Sequence, residues 1–129
     1  LFEGTNVSVG RGTDLPFQHF GATYIESDYF FIPKSIQGAK KPKHEGKRCF
    51  GKNLSQNVKL NQLDLSFLKY AYNECPEKEN FFNAFFDKLA GGNALRLSII
   101  DGKSEEEIRQ TWSEDLEEFE QIRNSYLIY

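Results

Sequence analysis

The feature that most restricts the fold is a change of character near residue 60. Residues 1–60 hold most of the glycine, proline and β-branched side chains, whereas residues 62–129 read as a succession of helices. A β-rich half followed by an α-rich half points to an α+β fold, with a small mixed or antiparallel sheet from the first half packed against helices from the second, and not to alternating βαβ units. Short strands are expected over residues 6–9, 29–32 and 49–54, each bounded by Gly, Pro or Asn.

In the second half Leu63, Phe67, Tyr70 and Ala71 recur at helical spacing up to Cys75-Pro76, where a helix cannot continue. A second helix is expected from about residue 79 through Phe81, Phe82, Phe85, Phe86 and Leu89 to the Gly91-Gly92 stop, and a third, short one through Ala94, Leu95 and Ile99 to Gly102. Ser104 and Glu107 have the spacing of a capping box, in which hydroxyl and carboxylate each satisfy an exposed backbone N–H. One long helix is expected from there, with Ile108, Trp112, Leu116, Phe119 and Ile122 on its core face and a solvated acidic face elsewhere. Residues 126–129 read as an apolar tail, docked as an edge strand or folded back onto the core.

Twelve Phe, six Tyr and one Trp in 129 residues call for one core built around rings, hence a single domain. No apolar run approaches the roughly 20 residues that cross a bilayer, and the amino terminus lacks the layout of a signal peptide. The sequence contains no methionine, so the chain is expected to be a piece of a larger protein. Cys49 and Cys75 form no C-x-x-C pair and are read as buried thiols, a disulfide remaining open in an oxidising compartment. His19 and His44 lack acidic or thiol partners at ligand spacing, so neither a metal nor a cofactor is expected. The absence of a G-x-S-x-G elbow leaves covalent acyl chemistry without support.

Chemistry concentrates at the start. Residues 1–22 place Glu3, Thr5, Asn6, Ser8, Arg11, Thr13 and Asp14 among glycines without amphipathic periodicity, a pattern that cannot form core. Glycines at 4, 10 and 12 permit close backbone approach and positive φ, so the side chains between them can be aimed at a ligand. Arg11, between two of them, can meet a carboxylate in a bidentate fork. Gly10-Arg11-Gly12 is not a nucleotide loop, because Thr13-Asp14-Leu15-Pro16 does not open an amphipathic helix. A plain strand and turn, with Asp14 reversing the chain before Pro16, is the alternative. Seven Lys or Arg fall between Lys34 and Lys52, yet the net charge is −3, which disfavours a nucleic-acid partner. A solvated basic loop is the simpler reading; a small anionic ligand such as a carboxylated sugar is the other.

Three segments, EGTNVSVGRGTDLPFQHFGA, FIPKSIQGAKKPKHEGKRCFGKNLS and FFNAFFDKLAGGNALRLSIIDGKSEEEIRQTWSEDLEEFEQIRNSYLIY, together resemble the carboxy-terminal domain of the bacterial exo-β-N-acetylmuramidases, formerly a domain of unknown function. The resemblance implies a preceding Rossmann-like domain, absent here, and a substrate cleft where the two meet. It also implies hydrolysis that releases N-acetylmuramic acid from the non-reducing end of peptidoglycan fragments, in the periplasm or outside the cell. Glu3, Gly4, Thr5 and Asn6, with Arg11, Gly12, Thr13 and Asp14, match the family's EGTN and GRGT motifs and would face the cleft. On that footing Glu3 is the candidate catalytic carboxyl group, and Thr5, Asn6, Arg11, Thr13 and Asp14 are the candidate sugar-binding residues. The expected partners are a peptidoglycan-derived sugar and the missing domain, with no nucleic acid and no membrane span in this segment. A non-catalytic module that binds peptidoglycan or another carbohydrate is the alternative.

Overall fold

The computed structural model describes residues 1–56 and 61–128. They form two compact units, Leu1–Gly92 and Asn93–Tyr129. The first contains β1 (His19–Ala22), β2 (Phe30–Phe31), β3 (Cys49–Asn53), α1 (Ser66–Glu74), a 3₁₀ turn at Lys78–Asn80 and α2 (Ala84–Ala90); the second contains α3 (Ala94–Ile100), α4 (Glu105–Gln110) and α5 (Ser113–Asn124). The class is α+β, as the sequence leads one to expect.

The three strands form one antiparallel sheet in the order β1-β3-β2, with Phe20 opposite Lys52 and Phe31 opposite Cys49. Alternation along β1 puts His19 and Phe20 on opposite faces. On one face the Phe20 ring stacks on Phe2 with centroids 4.8 Å apart and meets Phe67 and Tyr70 of α1 at 5.6 and 6.5 Å. The Lys52 ammonium sits 4.5 Å from the Tyr70 ring centre on the same face, a cation–π contact that covers the rim of this aromatic cluster. On the opposite face His19 stacks on Phe31 at 3.9 Å.

Several expectations are corrected. Residues 6–9 are not a strand: Ser8 exchanges both backbone hydrogen bonds with Gly21, and Thr5 bridges Phe82, but no ladder extends from either. The true neighbour of β3 is His19–Ala22, a segment without a β-branched residue. The second helix begins later than residue 79, because Phe82 is committed to the Thr5 bridge and the Asn83 side chain caps the helix by accepting from the Phe85 N–H. It stops as expected at Gly91, which lies at φ 79°.

The capping box is present, with Ser104 and Glu107 exchanging bonds of 2.7 and 3.1 Å, but the long helix it opens is two helices. Thr111 and Trp112 close i→i−3 bonds to Ile108 and Arg109, while the Thr111 hydroxyl donates to the Ile108 carbonyl, so the ladder tightens and restarts at Ser113. Ile108 is buried, but α5 buries no residue, with Leu116 59% and Phe119 61% exposed. Tyr126, Leu127 and Ile128 are exposed and lie in no strand; Tyr129 lies outside the described residues.

Candidate functional site

The GRGT segment is a loop whose backbone leaves room for nothing but glycine at two positions. Gly10 and Gly12 lie at φ 76° and 86°. A Cβ on Gly10 would stand 2.1 Å from the His19 Nε2, and one on Gly12 would stand 2.4 Å from the Lys34 carbonyl oxygen. Between them Arg11 is exposed. Among the described residues no hydrogen bond or ion pair holds its guanidinium, so it is available to a ligand.

Thr13 ties this loop to the sheet. Its hydroxyl donates to the Gly10 carbonyl at 2.7 Å and accepts from the Leu15 N–H at 3.2 Å. The His19 Nε2, at 2.9 Å from the same oxygen, must then be the donor, which leaves Nδ1 to accept from the Tyr29 hydroxyl at 2.7 Å. His19 is therefore the neutral Nε2–H tautomer. Burial pushes its pKa below the usual histidine value and pushes the Tyr29 phenol up, and both shifts favour these protonation states.

The EGTN segment lies alongside. Gly4 packs so closely on α2 that a Cβ would stand 2.3 Å from the Phe86 Cα. Thr5 is buried, its hydroxyl donating to the Phe2 carbonyl and accepting from the Val7 N–H. The Asn6 carbonyl oxygen of the side chain accepts from the Tyr24 hydroxyl at 2.7 Å, and its amide nitrogen stands 3.6 Å from the Cys75 sulfur. Burial raises the Tyr24 pKa, in keeping with its role as donor. Glu3 alone of the motif's polar side chains is exposed.

The basic segment is less solvated than its composition suggests. The Lys43 ammonium reaches the carbonyl oxygens of Thr5, Glu3, Phe2 and Val7 at 2.6, 3.1, 3.4 and 3.5 Å, and the His44 Nε2 reaches the Asn6 carbonyl at 2.7 Å. Burial lowers the Lys43 pKa, and the charge of Glu3 opposes that shift. Lys43 and His44 thus pin the EGTN backbone from a segment some 40 residues away in the chain. The density of lysine was visible in the sequence, but a contact at that separation was not.

These pieces bound an open cleft of about 400 Å³, lined by Glu3, Ser8, Arg11, Lys40, Lys41 and Lys43 among others. Among the described residues Glu3 is the one acidic residue lining it, beside four cations. Of the sequence candidates, Glu3 and Arg11 are brought together here. Thr13 lies beyond Arg11 in an adjoining hollow, and Asp14 lines a third hollow with Thr13 and Lys34. The side chains of Thr5 and Asn6 spend their hydrogen bonds inside the protein. Among the described residues no group of three or more His, Cys, Asp or Glu is placed to hold a metal ion, and Cys49 and Cys75 are buried free thiols, the former pushed up to about 11 by burial. No helix among the described residues is long and apolar enough to cross a membrane.

A cleft with one carboxylate and several cations can bind and orient an anionic sugar, but it holds half of what glycoside hydrolysis ordinarily requires. Comparisons with known proteins show the family to which the chain belongs. The family described as "Exo-beta-N-acetylmuramidase NamZ, C-terminal" matches residues 1–129. The peptidoglycan beta-N-acetylmuramidase NamZ of Bacillus subtilis (strain 168) is 32% identical over 148 aligned positions, which take in 100% of this chain and 35% of that protein. The crystal structure of a DUF1343 family protein from Bacteroides fragilis NCTC 9343 superimposes with a TM-score of 0.91 at 41% identity, over 99% of this chain and 38% of that one. The chain thus spans little more than a third of the length of either relative.

Proposed function

This chain belongs to the NamZ carboxy-terminal family, and from that premise we propose that it forms one wall of the substrate cleft of a peptidoglycan glycosidase that releases N-acetylmuramic acid from non-reducing ends. The observation that carries this reading is the Arg11 guanidinium, unpaired among the described residues, between two glycines of positive φ and in one cleft with Lys40, Lys41 and Glu3. The lactyl carboxylate is what distinguishes this sugar from its neighbours in the glycan. A planar guanidinium with free N–H donors matches a carboxylate in a bidentate fork, and the lysines add favourable potential.

Hydrolysis of a glycosidic bond takes two carboxyl groups, or one carboxyl group with participation by a substrate 2-acetamido group. Glu3 supplies at most one. In this reading an amino-terminal Rossmann-like domain closes the cleft and brings the catalytic acid, while Glu3 orients the sugar hydroxyls or serves as the second carboxyl group. Thr5 and Asn6 shape the wall from behind by fixing its backbone. A periplasmic or secreted location goes with such a substrate.

The test is release of a chromogenic aglycone from its β-N-acetylmuraminide by the whole protein and by these 129 residues alone. The whole protein should turn over and the fragment should not. Turnover by the fragment would refute a shared cleft; a whole protein that binds peptidoglycan fragments without turnover would make the chain a carbohydrate-binding module.

A further inference from the structure

Beside Arg11 lies a second hollow, also of about 400 Å³, which shares Arg11, Gly38 and Ala39 with the cationic cleft and is otherwise walled by Gly12, Thr13, Pro16, Phe17 and Ile36. Its volume falls within the roughly 300–1,000 Å³ of small-ligand pockets. Phe17 is the unusual member. Its backbone lies at φ 64°, a left-handed conformation that is an outlier for a bulky side chain, while its N–H is held by the Val9 carbonyl at 2.7 Å. The strain is not rewarded by burial, since the ring is 66% exposed and Ile36 beside it is 47% exposed. A glycine would take the same turn without strain, so the turn itself does not call for a phenyl group. Strained conformations that persist without a packing reason gather at ligand-binding sites.

We propose that Phe17 is the stacking platform of a second sugar subsite, taking the ring that follows N-acetylmuramic acid in the glycan. The inference rests on the reading of the cationic cleft as the site of the carboxylated sugar. A pyranose turns an apolar C–H face to one side and hydroxyls to its edge. The Phe17 ring, with Pro16 and Ile36, offers the matching apolar wall, and Arg11 stands at the boundary where a donor can serve both rings. A glycan that places its carboxylate in the cationic cleft at Arg11 has its neighbouring ring within reach of the second hollow, because the two share that residue.

The experiment compares two probes on the whole protein: the disaccharide of N-acetylmuramic acid linked β-1,4 to N-acetylglucosamine, and the methyl β-glycoside of N-acetylmuramic acid, which lacks the second ring. Phe17→Gly removes the ring and relieves the backbone, so its melting temperature should equal or exceed that of the wild type. The ratio of kcat/KM for the disaccharide to kcat/KM for the methyl glycoside should fall about five- to tenfold, and Phe17→Tyr should restore it. An unchanged ratio in Phe17→Gly overturns the proposal, whether or not both rates fall. A melting temperature well below that of the wild type also overturns it, because the ring would then be structural. A wild-type protein that cleaves neither probe overturns the glycosidase reading itself, and the subsite with it.

Discussion

The His19 Nε2 and the Thr13 Oγ are joined by a 2.9 Å hydrogen bond whose direction is fixed, because the Thr13 proton is already given to the Gly10 carbonyl. One buried imidazole, neutral and protonated on Nε2, thereby ties the loop that carries Arg11 to the sheet.

The stability of the domain should register that form. Burial lowers the folded-state pKa of His19 below its unfolded value, so the unfolded chain binds the proton more readily. The stability His19 contributes is fully present above about pH 6.5 and is lost as pH falls from there toward the folded pKa. In urea melts between pH 5 and 8, His19→Gln should show a shallower loss on acidification than the wild type. Parallel pH profiles would mean that His19 is not the titrating group. At pH 8, His19→Ala should cost about 2–5 kcal/mol, because it opens a cavity against Phe31 and leaves Tyr29 and Thr13 without their partner.

The wiring around His19 shows what a single sequence can and cannot convey. The Ser104–Glu107 box, the Gly91 stop and the Gly102 stop were legible because each is a local device whose partners lie within a few residues. So was the left-handed backbone at Gly10 and Gly12, which glycines spaced in this way announce. The strand His19–Ala22 was not legible, because it is a strand by virtue of its pairing with β3 and not of its own propensity. The inward turn of Asn6 was equally hidden, as it depends on Tyr24 and Cys75, the latter 69 residues away.

Lys43 provides a second test of long-range wiring. Its ammonium satisfies carbonyls of Thr5 and Glu3 at 2.6 and 3.1 Å, and methionine would keep the aliphatic stem while removing every donor. Lys43→Met should destabilise the domain by about 1–3 kcal/mol, the cost of leaving such groups unpaired. It should also raise amide hydrogen exchange across residues 2–7. Lys41→Met, which alters a cleft-lining cation without that carbonyl cage, should change stability by less than about 0.5 kcal/mol. Equal effects at the two positions would remove the cage from the account.

The broken helix in the second unit yields a contrast in burial. Ile108 of α4 is 1% exposed, whereas Phe119 of α5 is 61% exposed. In the 129-residue chain Ile108→Ala should cost about 2–5 kcal/mol and Phe119→Ala less than about 0.5 kcal/mol. A urea melt of each variant decides the matter. A large loss at Phe119 would restore the single amphipathic face that the spacing of Ile108, Trp112 and Leu116 suggests.

Arg11 carries the prediction closest to function. Its guanidinium is unpaired among the described residues, while Gly10 and Gly12 hold the backbone on either side. A hydrogen bond to a charged partner contributes about 1.5–3 kcal/mol, so Arg11→Ala in the whole protein should lower kcat/KM for an N-acetylmuramic acid substrate by roughly ten- to a hundredfold. The matching N-acetylglucosamine substrate has no lactyl carboxylate and should lose little. Arg11→Lys keeps the charge but not the planar fork, and should recover only part of the loss. Because Arg11 is exposed and its side chain supports no other residue, the melting temperature of Arg11→Ala should match that of the wild type. Equal losses on both sugars would rule out recognition of the carboxylate by Arg11, and a lowered melting temperature would make the residue a structural one.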